Sequence, residues 1–190
     1  MGLIQKWQLL NSKLVFDNPW CQVRQDEVEL PNGTVINDFF VNVRPDIALL
    51  MAVTPDREIV FVRQYRHGVA EILLELPAGT FDPQTENSLT AARRELEEET
   101  GYIAQEIIQL ATLYDNPSKD TNKIHLFLAE NAHPTGKQQL DITEEVEIIL
   151  VPIEAVLAKI ASGEIAVCGT VTALFLGLKY LSEPLTRVTL

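Results

Sequence analysis

The sequence predicts an α/β (α+β) chain in which a small antiparallel β unit precedes a larger domain of strands and helices. Three observations carry that expectation. Short β-like runs alternate through residues 7–43 around an Asn-Gly turn. A highly charged, periodic helix is expected over Ser88–Thr100, and β-like runs on both sides of it give way to two helices near the end of the chain. With 190 residues, the chain suits one domain with an appendage, able to bury roughly 70% of its unfolded surface. The expected division is 1–43 for the N-terminal β unit and 44–190 for the main domain.

Taken in order, VEL and TVI are split by Pro31-Asn32-Gly33, a hairpin signal because Asn-Gly tolerates the positive φ of tight turns. Asp46–Val53 and Glu58–Gln64 are apolar, β-rich runs separated by Thr54-Pro55-Asp56-Arg57, which reads as a second hairpin. Glu71–Leu76 adds a strand, after which Pro77-Ala78-Gly79 breaks the pattern. From Ser88 to Thr100 helix formers dominate, Leu89, Ala92 and Leu96 make one apolar stripe, and Gly101 stands where helices end. Ile107–Tyr114 and Ile124–Ala129 read as strands flanking the polar loop DNPSKDTN. A loop from Asn131 to Glu144 leads to a strand, Val146–Val151, and to helices near Glu154–Ala161 and Thr170–Leu181. The apolar run Val171–Leu181 is too short to span a membrane and reads as a buried helix.

A formal net charge of -12 and a pI of about 4.6 repel phosphate backbones and leave no basic stripe, so nucleic acid is excluded as a partner. An acidic protein still accepts an anionic small molecule when divalent cations sit between its carboxylates and the ligand. Cys21 and Cys168 lie far apart with no CxxC or Cys/His cluster, which argues against zinc or a disulfide framework and for a reducing cytoplasm. The start MGLIQKWQLL has no signal pattern, and Lys6 stands at the Ser/Thr place of a myristoylation motif, so neither export nor a membrane anchor is expected. His67, His125 and His133 show no metal spacing and read as structural, and the hydroxyl residues lack a nucleophile-elbow context.

The chemistry concentrates on the predicted helix. Glu95, Glu98 and Glu99 stand at i, i+3 and i+4, so their carboxylates share one face, while Glu97 points roughly the other way. That face lies about 100° from the apolar stripe, which lets it border a cleft while the stripe stays in the core. Carboxylates crowded in this way repel one another, and a hard divalent cation relieves the repulsion; Mg²⁺ takes a few carboxylates, several waters and substrate phosphate oxygens. Standing alone, Glu-x-x-Glu-Glu would be an ordinary solvated helix face.

It does not stand alone. The stretch GTFDPQTENSLTAARRELEEETGY resembles the signature of the Nudix hydrolases, with Gly79, Glu86, Arg94, Glu95, Leu96, Glu98, Glu99, Gly101 and Tyr102 filling its positions. One departure is visible: six residues rather than five separate Gly79 from Glu86, within the loop before the helix. The resemblance implies a Nudix fold, a mixed β-sheet sandwiched between helices. It also implies that Glu95, Glu98 and Glu99, with Gly79, bind Mg²⁺ (or Mn²⁺), that Arg94 and Glu86 orient these ligands from behind, and that water attacks phosphorus without a covalent enzyme intermediate.

Flanking features look like the ADP-ribose pyrophosphatase and nucleotide-sugar diphosphatase branch: VRQYR at Val62–Arg66 before ELPAG at Glu75–Gly79, Pro117 sixteen residues after Gly101, and the run from Glu144 through VPIEAVLAKIASGEI. The implied substrate is a nucleoside diphosphate sugar, ADP-ribose first, cut to AMP and ribose 5-phosphate. Ser118 and Asn122 depart from the branch pattern, which keeps GDP-mannose open as the alternative. Arg63 and Arg66 are candidates for substrate phosphate or carboxylate contacts, with a surface ion pair the plainer reading of each. Glu75 reads as structural or metal-adjacent. Glu144 or Glu145 occupies the stretch that supplies the general base in this branch, and we take Glu144. Trp20 is a candidate for stacking on a base, or else a core residue. The resemblance further implies a homodimer in which residues 1–43 pack across onto the partner. A non-catalytic nucleotide-sensing module would usually have lost a metal carboxylate, and this chain keeps all three.

Overall fold

The computed structural model describes residues 3–136, 138–140 and 145–182. The chain forms two compact units, one comprising the residues up to Pro45 with Tyr114–Lys123, the other Asp46–Leu113 with the chain from Ile124 onward.

In the first unit, β1 (Gln8–Asn18), β2 (Cys21–Glu29) and β3 (Val35–Val43) form an antiparallel sheet in that order. The expected turn joins β2 to β3: Gly33 has φ 82° and its N–H donates to the Leu30 carbonyl at 2.9 Å. The polar loop expected between two later strands belongs here as well. Asn42 N–H donates to Lys119 O at 2.8 Å, Thr121 N–H to Asn42 O at 3.2 Å, and Arg44 Nη1 reaches Asp120 Oδ2 at 3.1 Å.

The second unit runs β4 (Asp46–Val53), β5 (Glu58–Arg66), β6 (Glu71–Glu75), β7 (Ala78–Phe81), α1 (Ser88–Thr100), β8 (Tyr102–Ile103), β9 (Ile107–Tyr114), β10 (Lys123–Ala129), β11 (His133–Pro134), β12 (Val146–Pro152), α2 (Val156–Ala161) and α3 (Cys168–Ser182). Its main sheet has the order β12-β5-β4-β10-β9, with β6 on β5 and β7 on β4. β10 runs parallel to β4, whereas β5, β6, β7 and β12 pair antiparallel, so the sheet is mixed.

β4 is buried on both faces, which explains its unbroken apolar run. The period of two along a strand sends Leu49 and Met51 to one side, against Phe61, Leu126 and Leu174 of α3. Ala48, Leu50 and Ala52 go to the other, against Phe127 and Ala92 and Leu96 of α1. The sheet is thus sandwiched between helices.

The feature that builds the site is a fork between β4 and β5. They pair only at Ala52↔Val60 and Val53↔Ile59. Beyond that point β4 gives its edge to β7 over Asp46–Leu49, and β5 gives its edge to β6 over Val62–Arg66. The chain crosses the fork through Leu76-Pro77, with Pro77 O accepting from Leu50 N–H at 3.0 Å. The break expected at Pro77-Ala78-Gly79 is therefore confined to the proline, and Ala78 and Gly79 begin a strand.

Other expectations change too. Leu89 is 38% exposed, because at the first turn of α1 the inward positions belong to Ala91 and Ala92. The loop after Asn131 pairs His133↔Ile103 and Pro134↔Tyr102. The helix expected from Glu154 opens with a 3₁₀ turn, Ile153–Ala155. In α3 only one stripe, Thr170, Ala173, Leu174 and Gly177, is buried, and Phe175 is 54% exposed, so this helix lies on the sheet instead of running through a core. Among the described residues no helix is long and apolar enough to cross a membrane.

Candidate active site

α1 begins and ends where its sequence says it should. Asn87 Oδ1 accepts the Thr90 N–H at 2.9 Å, and Gly101, at φ 67°, donates its N–H to Glu97 O at 2.8 Å, a left-handed cap that a side chain would strain. The face turned to the sheet carries two of the three expected carboxylates: Glu99 is 2% exposed and Glu95 9%. Charges this deeply placed require partners: Arg94 of the same helix serves Glu95, and the β4/β5 fork serves Glu99. Glu99 Oε2 accepts the backbone N–H of Ala78 at 3.0 Å. A Cβ on Gly79 would collide with the carboxyl group of Glu95, so the glycine leaves room for that carboxylate where it stands.

Arg94 organises the rest. Its Nη2 and Nε donate to the two carboxylate oxygens of Glu86 at 2.9 and 3.2 Å, while Nη1 bridges Glu95 Oε1 at 2.7 Å and Glu98 Oε2 at 3.0 Å. The hydrogen bonds to Glu86 above all, then those to Glu98 and the charge of Glu95, hold the guanidinium above its ordinary pKa against the opposing effect of burial. One fixed cation thus orients three carboxylates.

These groups border a cleft of ≈ 410 Å³. Gly79 and Thr80 of β7 form one part of its lining, and Arg94, Glu95 and Glu98 another. Gln139 and Leu140 complete it. The segment holding those last two residues caps the C-terminal end of α1, where carbonyls lack helical partners. Thr135 N–H donates to Gly101 O at 2.6 Å, Gln138 Nε2 to Glu99 O at 2.6 Å, and Gln139 N–H to Glu98 O at 2.8 Å.

Sequence reasoning brought Glu86, Arg94, Glu95, Glu98, Glu99 and Gly79 together, and the structure does the same. It missed the Ala78 amide, Gln138, Gln139 and Leu140: a backbone donor leaves no trace in residue type, and no motif marks a glutamine pair. The remaining candidates lie elsewhere. Arg66 forms a bidentate pair with buried Glu75, Nε to Oε1 at 2.9 Å and Nη2 to Oε2 at 3.0 Å, which gives Glu75 a structural partner. Arg63 pairs with Glu147 across β5 and β12 at 3.0 Å, and neither arginine lines the cleft. Trp20 is 83% exposed at the β1–β2 turn of the first unit, so it is not a core residue. Glu144 lies outside the described residues; Glu145 is exposed.

The donor set suits a hard divalent cation: oxygen ligands only, carried on one helix face beside a glycine whose missing side chain leaves room for them. Among the described residues no three Asp, Glu, His or Cys side chains are already closed into a metal cage, and Arg94 Nη1 spans Glu95 and Glu98 instead.

Comparison with known proteins agrees with this geometry. A family model described as a NUDIX domain matches residues 43–167, and one described as a nucleoside diphosphate sugar hydrolase N-terminal domain matches residues 7–42. The chain is 33% identical over 163 residues to an ADP-ribose pyrophosphatase of Bacillus subtilis (strain 168), covering 85% of this chain and 84% of that protein. It is 30% identical over 176 residues to a GDP-mannose pyrophosphatase of Citrobacter koseri, covering 85% and 89%. A crystal structure of an ADP compounds hydrolase superposes with a TM-score of 0.84 at 24% identity, covering 96% of this chain and 97% of that one, a likeness of fold.

Proposed function

The chain belongs to the Nudix hydrolase family, and from that premise we propose that it hydrolyses the diphosphate bond of a nucleoside diphosphate compound with Mg²⁺, converting ADP-ribose to AMP and ribose 5-phosphate. The observation that carries this reading is the gathering of Glu95 and Glu98 around Arg94 in the lining of one cleft, with Glu99 one residue further along the same helix on the Ala78 amide. The ADP-ribose pyrophosphatase relative supports the choice of substrate.

Glu95, Glu98 and Glu99, with the Gly79 backbone beside them, would hold Mg²⁺, and Mn²⁺ suits the same oxygens. Such a cation neutralises charge on the phosphate oxygens and makes water more acidic. The chain's own part is positional. Arg94 keeps the Glu95 and Glu98 carboxylates from turning away, the Ala78 amide does the same for Glu99, and Glu86 anchors Arg94. Water adds to one phosphorus, the anhydride P–O bond breaks, and the second phosphate leaves with its sugar. Glu144 is proposed as the group that takes the water's proton.

We also propose a cytoplasmic homodimer. β1 is an edge strand exposed along its whole length, with Leu9, Leu14 and Phe16 more than half exposed, a surface that monomers rarely leave open. Cys21 and Cys168 are unpaired, in keeping with a reducing compartment.

The test is kcat/KM with Mg²⁺ for ADP-ribose, GDP-mannose and nucleoside triphosphates, with light scattering on the same preparation. We expect ADP-ribose to rank first, with products AMP and ribose 5-phosphate, and a dimer. A tenfold preference for GDP-mannose overturns the substrate but not the chemistry; cleavage of triphosphates alone overturns both.

A further inference from the structure

We propose that Gln139 is a specificity-determining residue whose neutral amide reads the group beyond the diphosphate, favouring an uncharged polyhydroxyl group over a further phosphate. The inference rests on the catalytic reading of the Glu95/Glu98/Glu99 cleft.

Gln139 is held by its backbone, not by its side chain. Its N–H donates to Glu98 O at 2.8 Å, and the preceding Gln138 places Nε2 on Glu99 O at 2.6 Å, so two successive residues are pinned to the carbonyls of two metal-face glutamates. Gln139 is therefore fixed at the cleft, which it lines, while its side-chain amide makes no hydrogen bond to a described residue.

Charge determines what that amide can select. Among the described residues lining the cleft Arg94 is the sole cation, and its guanidinium is taken up by Glu86, Glu95 and Glu98. With Arg94 so engaged, no cationic side chain among the described lining residues is left to pair with a phosphate beyond those the metal serves, whereas sugar hydroxyls need no such partner. The amide offers two donors and an acceptor, which matches hydroxyl groups that both give and take hydrogen bonds; an ammonium in its place would only donate. Thr80, with its hydroxyl, and apolar Leu140 line the same cleft and add no charge. Recognition beyond the diphosphate is then by hydrogen bond.

The experiment compares kcat/KM for ADP-ribose and for ATP, each with Mg²⁺, in the wild type and in Gln139→Lys, Gln139→Glu and Gln139→Ala. All three substitutions preserve the backbone N–H, and thermal melting checks that each folds. We expect Gln139→Lys to raise the ATP to ADP-ribose ratio by about tenfold through one added charge, Gln139→Glu to lower it, and Gln139→Ala to raise KM for ADP-ribose more than it lowers kcat. A ratio that stays within twofold across the lysine and glutamate variants, while Glu98→Gln is inactive, overturns the role of Gln139 alone. An active Glu98→Gln overturns the site beneath it, and this inference with it.

Discussion

Arg93 and Arg94 are neighbours on one helix, yet they do opposite kinds of work. Arg94 faces the cleft and binds Glu86, Glu95 and Glu98. Arg93, about 100° further round by the helical period, donates to the backbone carbonyls of Ala104 and Gln105 at 3.3 and 2.8 Å, beside Glu97 and Ile103. The first arginine orients carboxylates for chemistry; the second ties the helix to the chain that follows it. Charge on a helix acquires a function from what the neighbouring strands set opposite it, here β7 on one side and the stretch around β8 on the other.

Substitutions on the two faces should separate widely. The largest effect is expected from Glu98→Gln or Glu99→Gln, with kcat falling by roughly 10³-fold or more, since each change removes charge that the transition state requires while keeping shape. In Glu99→Gln the Ala78 amide still finds an oxygen, so melting should barely move; wild-type turnover at saturating Mg²⁺ in either variant would remove that carboxylate from the site.

Next comes Gly79→Ala. Its added Cβ meets the far end of the Glu95 side chain, which is able to swing away, so stability should hold while the displaced carboxylate lowers kcat by about 10²-fold, the scale of a 1 Å misplacement. If activity and melting temperature fall together, Gly79 serves the fold and not the site.

Arg94→Lys keeps the charge but cannot reach Glu86 with a fork and bridge Glu95 and Glu98 at once. We expect activity and Mg²⁺ affinity to fall about 10- to 100-fold, read from kcat against Mg²⁺ concentration. An unchanged Mg²⁺ dependence would show that the guanidinium does not orient the ligands.

The smallest effects belong to the other face. Arg93→Lys should cost about 1 kcal/mol of stability for its lost carbonyl contacts and leave kcat/KM alone. Glu97→Gln should change neither. A drop in turnover from either would break the division between the two faces.

How much of this was legible beforehand follows contact range. The limits of α1, its Gly101 cap and the shared face of Glu95, Glu98 and Glu99 are set by residues within four positions of each other, so spacing alone determines them, whereas the Asn87 cap appears only in the structure. The Asn32-Gly33 turn is local in the same sense, and the spacing from Glu86 through Arg94 to Gly101, with Gly79 one residue further off than the pattern has it, identifies the family. What only the tertiary structure decided involves partners far apart in the chain: β10 beside β4, Arg63 on Glu147, Tyr114–Lys123 with the N-terminal strands, and Gln138 and Gln139 on the end of α1. Such pairings leave no period in the sequence, because a carbonyl or amide accepts any residue that the fold delivers to it. For the same reason Pro77-Ala78-Gly79 looks like a break in the sequence: Pro77 lacks an N–H, but β7 forms after it on the edge of β4 that β5 leaves open.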